Sequence, residues 1–286
     1  MPEMSPSSRG RELGEKLRAL RDATGLTSET AATRIGISPS KLSRLENGLR
    51  GPRLVDVKNL LGLYGVGDEA EQARLLDLAQ DFNANGWHSQ LKSSRLTKDE
   101  RLLVGYENDA TDVRCFADLT VPPLLQTGAY ARALLTESVT VPRNKIEQGV
   151  AHVLARQAIL SREQPPTLSV VLTELVLRTV VKSPADMAAQ LFHLVNSTSR
   201  APVEVRVLPM AAGAHAGIDG RFTVIDFASV RSVVHLPHGT CHSFTEDTER
   251  LALYERMHAR LVDKSLEPEA SVDFIAKLAS AFNRDA

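Results

Sequence analysis

Leu26-Thr-Ser-Glu-Thr-Ala-Ala-Thr-Arg-Ile-Gly-Ile-Ser-Pro-Ser-Lys-Leu-Ser-Arg-Leu-Glu-Asn-Gly48 is the stretch on which the fold turns. Thr27 stands before Ser-Glu-Thr, a hydroxyl with a carboxylate close behind, and this marks a helix start. That helix spans about Ser28 to Arg34 and ends at Gly36. Ser38 is then placed to cap a further helix, with Pro39 at the first helical position, where a missing N–H costs nothing. Asn47-Gly48 stops this helix after Glu46. Ala31 and Ala32 are small enough for two short helices to cross closely. Gly36 lets the chain turn, and Ile35, Ile37, Leu42 and Leu45 supply a miniature core.

Working outward, Leu13, Leu17 and Leu20 repeat at i, i+4 and i+7 and form one apolar stripe on a preceding helix, which Gly25 stops. On the other side Leu54, Val57, Leu60 and Leu61 place another helix over about Leu54 to Tyr64. Helix, short helix, tight turn and helix make a helix-turn-helix. The pattern leaves Pro39, Ser40, Lys41 and Arg44 on the first turn and outer face of the third helix. Small polar and cationic side chains there suit a major groove, where Lys or Arg pairs with guanine acceptors. Ser28, Ser43, Asn47 and Arg50 flank that face and suit phosphate contacts, which position the protein but do not specify sequence.

Charge supports this reading once it is divided. The 286 residues carry 34 Lys+Arg against 35 Asp+Glu. Met1 to Val66 holds 11 basic and 7 acidic residues, a balance of +4, which leaves −5 for the rest. A basic head thus precedes an acidic body. A composition 43% hydrophobic and 24% charged excludes wholesale disorder, and the length fits about two domains. No apolar run approaches the roughly 18 residues of a membrane span. MPEMSPSSRG lacks the apolar core of a secretory signal. Cys115 and Cys241 lie far apart and define no disulfide framework, so a cytoplasmic location is expected.

The body reads as mixed α/β. Asp68 to Phe82 continues the head as a connecting helix, giving a domain over 1–82. Residues 83–97 are polar and weakly periodic and are read as a linker, which leaves 98–286 as the second domain. Helices are expected over Lys98 to Asp118, Gly128 to Glu137, Ile146 to Arg162, Pro184 to Ser197, Glu246 to Val262 and Pro268 to Phe282. Thr167–Thr173, Val203–Leu208, Arg221–Phe227 and Ser232–Leu236 read as strands of a small sheet of roughly four. The loop Ala211 to Gly220, with three glycines, is expected to be mobile.

Two resemblances follow from these residues. Leu26-Thr-Ser-Glu29 with Ala31, Gly36 to Gly48 and Arg50-Gly-Pro52 resembles the Cro/C1-type (Xre) helix-turn-helix. Ser28 stands where that family often has a contacting glutamine. Thr30 stands where it has a core leucine, which is expected to cost local stability. Val121-Pro-Pro-Leu-Leu-Gln-Thr-Gly128, Ala155-Arg-Gln-Ala-Ile-Leu160, Glu174 with Leu177-Arg178, Gln190-Leu191, His193-Leu194, Val207-Leu-Pro209, Ala212-Gly-Ala-His-Ala216 and Gly220-Arg-Phe-Thr223 resemble an actinobacterial C-terminal domain of unknown function. Pro123 replaces a common glycine, so the backbone there avoids positive φ. The combination is similar to the WhiJ-type regulators. This resemblance implies a transcription factor whose body binds a small protein encoded nearby, or a ligand.

Other chemistry in the body reads as incidental. His235, His238, Cys241 and His242 offer enough ligands for zinc, yet their spacing matches no closed site, and a Pro-Gly turn with incidental histidines is the plainer reading. His215 lies on the glycine-rich loop as an exposed or pH-sensitive contact. Ser243, His242 and Asp247 are too close in sequence to form a catalytic triad with ease. Glu174 and Arg178 lie one helical turn apart and read as an ion pair. Leu124 and Leu125 either present a ridge to a partner or anchor helices to the sheet, and the second is favoured. The expected protein is therefore a regulator without cofactor, metal or catalysis. Its expected partner is double-stranded DNA at an operator or promoter, bound as a homodimer and with no membrane. The alternative is an antitoxin-like interaction protein that neutralises a small cognate partner, with DNA binding secondary.

Overall fold

The computed structural model describes residues 8–48, 53–84, 97–199, 202–228, 230–238 and 241–284. Arg50, with Gly51 and Pro52, lies outside these residues, as do positions 85–96 of the expected linker. The chain forms two compact units, one of Met1–Asp109 with Phe227–Val230 and one of Ala110–Asp226 with Arg231–Ala286.

In the first unit the helices are α1 (Ser8–Ala23), α2 (Ser28–Arg34), α3 (Pro39–Glu46), α4 (Leu54–Leu63), α5 (Glu69–Ala84) and α6 (Lys98–Asp109). Thr27 caps α2 by accepting from the Thr30 amide, and Ser38 caps α3 by accepting from the Lys41 amide. Leu13, Leu17, Ala31, Ala32, Leu42, Val57, Leu60, Leu61 and Leu75 are buried in one core. Each buried leucine contributes roughly 1.5–3 kcal/mol of transfer free energy. Leu54, expected inward, is instead exposed.

The crossing of α1 and α3 is closer than the alanines alone indicated. A Cβ on Gly14 would lie 2.4 Å from the Glu46 carbonyl oxygen, so only glycine fits. Gly36 adopts φ 72°, the left-handed turn between α2 and α3 that L side chains resist. Thr30 is exposed, and its hydroxyl hydrogen-bonds Thr27, so it leaves no hole in the core.

The second unit contains six strands where roughly four were expected: β1 (Asp112–Ala117), β2 (Thr167–Thr173), β3 (Val203–Leu208), β4 (Phe222–Asp226), β5 (Val233–His238) and β6 (Cys241–Thr245). Their order is β3-β2-β1-β4-β5-β6. β1, β2 and β3 run parallel, while β4, β5 and β6 continue from β1 in antiparallel fashion. The expected helix over Lys98 to Asp118 thus ends at Asp109, and its last part is the central strand β1. Val113 lies seven residues after Tyr106, so helical period hid the change. β6 was read as a histidine-rich turn because Cys241-His-Ser-Phe-Thr245 has little β-branched content.

Among the described residues six helices accompany the sheet: α7 (Gly128–Glu137), α8 (Ile146–Arg156), the short α9 (Glu174–Arg178), α10 (Pro184–Thr198) and the C-terminal pair α11 (Thr248–Lys264) and α12 (Pro268–Arg284). The expected helix to Arg162 changes to a 3-10 turn at Gln157–Ser161, and Leu154 is exposed. On one face of the sheet Phe116, Val171, Leu208, Phe222, Val224 and Val234 form a core with Leu261, flanked by Leu251, Tyr254 and Met257 of α11. The outer edge of β3 is sealed, since the Val207 amide donates to Ser271 Oγ and its carbonyl accepts from Leu266.

Leu124 and Leu125 are buried, which settles their two readings in favour of anchoring. Three glutamines hold the segment they sit in. Gln126 Nε2 donates to the Val121 carbonyl, and Gln157 Nε2 to the carbonyls of Pro123 and Gln126. Gln190, fully buried, donates to the Leu125 carbonyl and accepts from the Thr127 amide. Tyr130 Oη accepts from the Val121 amide. The glycine-rich loop is likewise packed: Lys264 Nζ donates to the Ala214 carbonyl, and His215 meets Phe116 edge-on.

Candidate nucleic-acid interface

At about 100° per residue, Ser40, Ser43, Arg44 and Asn47 fall on one stripe of α3, spaced i, i+3, i+4 and i+7. Ser40, Ser43 and Asn47 are exposed and Arg44 is partly exposed, while Leu42, Leu45 and Glu46 turn inward. Pro39, also exposed, stands at the start of this stripe. Its side chains fold back on their own helix: Arg44 Nε donates to the Ser40 carbonyl at 3.1 Å, and Asn47 Nδ2 to the Ser43 carbonyl at 2.7 Å. Among the described residues Arg44 enters no ion pair, and its guanidinium rests on its own helix. Ser28, at the first turn of α2, is partly buried.

Lys41 is placed differently. It lies about 100° from Ser40 around the helix, toward α4, with its side chain 15% exposed. Its Nζ stands 2.6 Å from Asp56 Oδ2. The same carboxylate accepts two hydrogen bonds from Arg53, Nε to Oδ2 at 3.1 Å and Nη2 to Oδ1 at 3.0 Å. Burial alone would raise the Asp56 pKa, but hydrogen bonds from Arg53 and Lys41 outweigh it and hold the group below the usual carboxylate range.

A second ionic contact fixes how α3 sits on α1. Arg21 donates Nε to Glu46 Oε1 at 2.7 Å and Nη2 to Oε2 at 3.1 Å, with both residues buried. Arg21 Nη1 also donates to the Leu26 carbonyl, which ties the entry to α2 into the same contact. The bond to Glu46 raises the Arg21 pKa. Tyr64 lies in this neighbourhood, and burial pushes its phenol up to about 12.

Sequence reading missed Arg21, Glu46 and Asp56, although each carried a signal. Arg21 is four residues after Leu17, Glu46 four after Leu42, and Asp56 four before Leu60. Each charge thus occupies an apolar register of its helix, where a long-range partner must be present.

Candidates in the second unit are used structurally. His235 Nε2 and His242 Nδ1 are hydrogen-bonded at 2.8 Å with stacked rings, and Phe244 stacks on His235 from 4.9 Å. Among the described residues no group of three or more His, Cys, Asp or Glu is placed to hold a metal ion. Burial, followed by repulsion from His242, lowers the His235 pKa to about 3. His258, on α11, is lowered to about 4, chiefly by burial. Asp247 caps α11 through the Arg250 amide. Glu174 pairs with Arg178 at 2.6 Å, and its other oxygen accepts from the Met210 amide.

Against known families, residues 12–75 match a helix-turn-helix domain, and residues 101–277 match a domain of unknown function, DUF5753. No curated protein and no solved structure matches the chain. No described helix is long and apolar enough to cross a membrane.

Proposed function

The chain belongs to the DUF5753 family and, through its helix-turn-helix domain, is a DNA-binding regulator; from that premise we propose that α3 reads a specific operator in the major groove. Arg44 pairs with guanine acceptors at the centre of the contact, with Ser40 and Asn47 beside it. Pro39 and Ser43 border the groove, and Ser28 and Arg50 contact phosphate on either side. The observation that carries this reading is the Ser40–Ser43–Arg44–Asn47 stripe, exposed except for a partly covered Arg44, on a helix whose opposite side is pinned by Arg21 and Glu46. Such pinning holds the helix rigid, so the reading side chains need only release their own backbone to meet a base edge.

One recognition helix covers only a half-site, so the protein acts as a homodimer on two half-sites. The sheet-bearing domain, expected from about residue 98, binds a small partner protein or a ligand that modulates DNA binding. What supports this role is a second family-matched domain over residues 101–277 with a core of its own around the sheet, beside a helix-turn-helix head with a separate core. Its location is the cytoplasm, where the DNA is.

The test is footprinting of the full chain on DNA upstream of its own coding region. Arg44→Ala is expected to weaken binding to the protected site by about 1–3 kcal/mol while leaving binding to shuffled DNA nearly unchanged. An Arg44→Ala protein with the parental footprint and affinity would remove α3 from the reading surface.

A further inference from the structure

We propose that Asp56 sets the specificity of the DNA-reading surface by withholding one cation, Lys41, from phosphate. The inference rests on the DNA-binding reading of α3. Asp56 is a positioning residue in this scheme, because it acts through Lys41 and touches no DNA.

Asp56 holds Lys41 across the contact between α3 and α4, while the Arg53 side chain that shares its carboxylate is 67% exposed and stays open to solvent. Asp56 is 3% exposed, at the first turn of α4, with Lys41 of α3 at 2.6 Å and Arg53 on both oxygens. A phosphate contact by Lys41 would have to give up its 2.6 Å pairing with the buried Asp56 carboxylate. Lys41 also lies off the exposed stripe, and its side chain is mostly covered. Its charge therefore serves the α3–α4 contact and not the groove.

The consequence concerns specificity. Attraction to phosphate is independent of sequence and grows with each cation that displaces a counterion. Every cation neutralised inside the head lowers non-specific binding, while base contacts by Arg44 and Asn47 are untouched. Sequence-level counting gives the head a balance of +4. The structure assigns part of that basic charge to Asp56, so the surface that meets DNA depends more on base readout than composition indicates.

The experiment compares the parent full chain with Asp56→Asn, Lys41→Met and the double variant. Each is measured on the footprinted fragment and on a shuffled fragment of equal length, over a range of salt concentrations. Asp56→Asn should bind shuffled DNA several-fold more tightly, with a log–log salt slope steeper by about 0.9 for a freed cation. The ratio of footprinted to shuffled affinity should fall accordingly. Lys41→Met, which still leaves Asp56 paired with Arg53, should change neither affinity by more than about twofold, well short of the tenfold that a 1.4 kcal/mol base contact represents. Adding it to Asp56→Asn should bring the slope back toward that of the parent. A purely structural role for Asp56 would weaken both fragments together without moving the slope, and that result overturns the inference. So does loss of operator preference in Lys41→Met, a variant expected to fold because it alters a side chain at the rim of the core. A parent that retains neither fragment at low salt would instead overturn the DNA-binding reading itself, and this inference with it.

Discussion

The helical head and the segment that joins β1 to α7 use buried polar groups in opposite ways. In the head, α1, α3 and α4 are tied by full charges: Arg21 with Glu46, and Lys41 with Asp56. In the body, the segment that joins β1 to α7 is tied by neutral amides and a phenol, from Gln126, Gln157, Gln190 and Tyr130. The difference follows from size. A small helical head has few apolar side chains with which to fix the angle between short helices, and a bidentate ion pair fixes that angle by geometry. A sheet domain has its ladder for orientation and needs only to satisfy the backbone of one irregular segment. The head is thereby sensitive to the loss of a charge, and the body to the gain of one.

The strongest way to break this comparison is Glu46→Ala. It leaves Arg21 buried without its carboxylate and should destabilise the head by about 3–5 kcal/mol. The body's unfolding transition should stay in place, as followed by denaturant unfolding with probes in each unit. Loss of both transitions together would mean that the two do not unfold separately.

Mild acid should act the other way round. The chain's histidines all lie at or beyond position 88, so residues 8–84 of the head hold none. His235 titrates near 6.5 when unfolded but near 3 in the native state, and His258 near 4. The unfolded chain therefore binds more protons below pH 6.5, and native stability falls as pH falls from 6.5 toward 3. At pH 5 the cost is about 2 kcal/mol for each ring, from about 1.4 kcal/mol per pH unit. The Asp56 pKa is depressed, so its contribution to the head is present above the unfolded value near 4 and is lost only below it. Between pH 6.5 and 4.5 only the body's transition should move, and an equal shift of the head would contradict this assignment.

Thr27→Ala gives the smallest effect. It removes the side-chain cap of α2 and should lower the stability of the head by about 1 kcal/mol, independent of pH over the same range. Thermal unfolding at pH 7 and pH 5 checks it.

The same contrast governs what the sequence made legible. The head's helices, caps and turn follow from neighbours within four residues, so Ser38, Pro39 and Gly36 were read in their structural roles. Helical spacing alone puts Ser40 and Arg44 on the outer face of α3 with Ser43 and Asn47 beside them. The sequence places Lys41 on the reading face with Ser40 and Arg44, whereas the structure turns it to Asp56, fifteen residues away and on another helix, a contact no local pattern records. Gly14 looked incidental until the α3 backbone was set against it. In the body, β1 was hidden by a helical period that ran on from Tyr106 to Val113. Its identity as a strand depends on pairing with Thr167–Leu172 and Phe222–Asp226, contacts that no local pattern records. Gln126, Gln157 and Gln190 carried the family likeness without revealing that they hold one segment in place.

Amide hydrogen exchange of the full chain, with and without the footprinted DNA, tests the role of the head most directly. Protection should appear over α2, the turn at Gly36 and α3, residues 28–47, and should leave strands β1 to β6 at their DNA-free rates. Retention of DNA with protection confined to the strands, and none over residues 28–47, would contradict it.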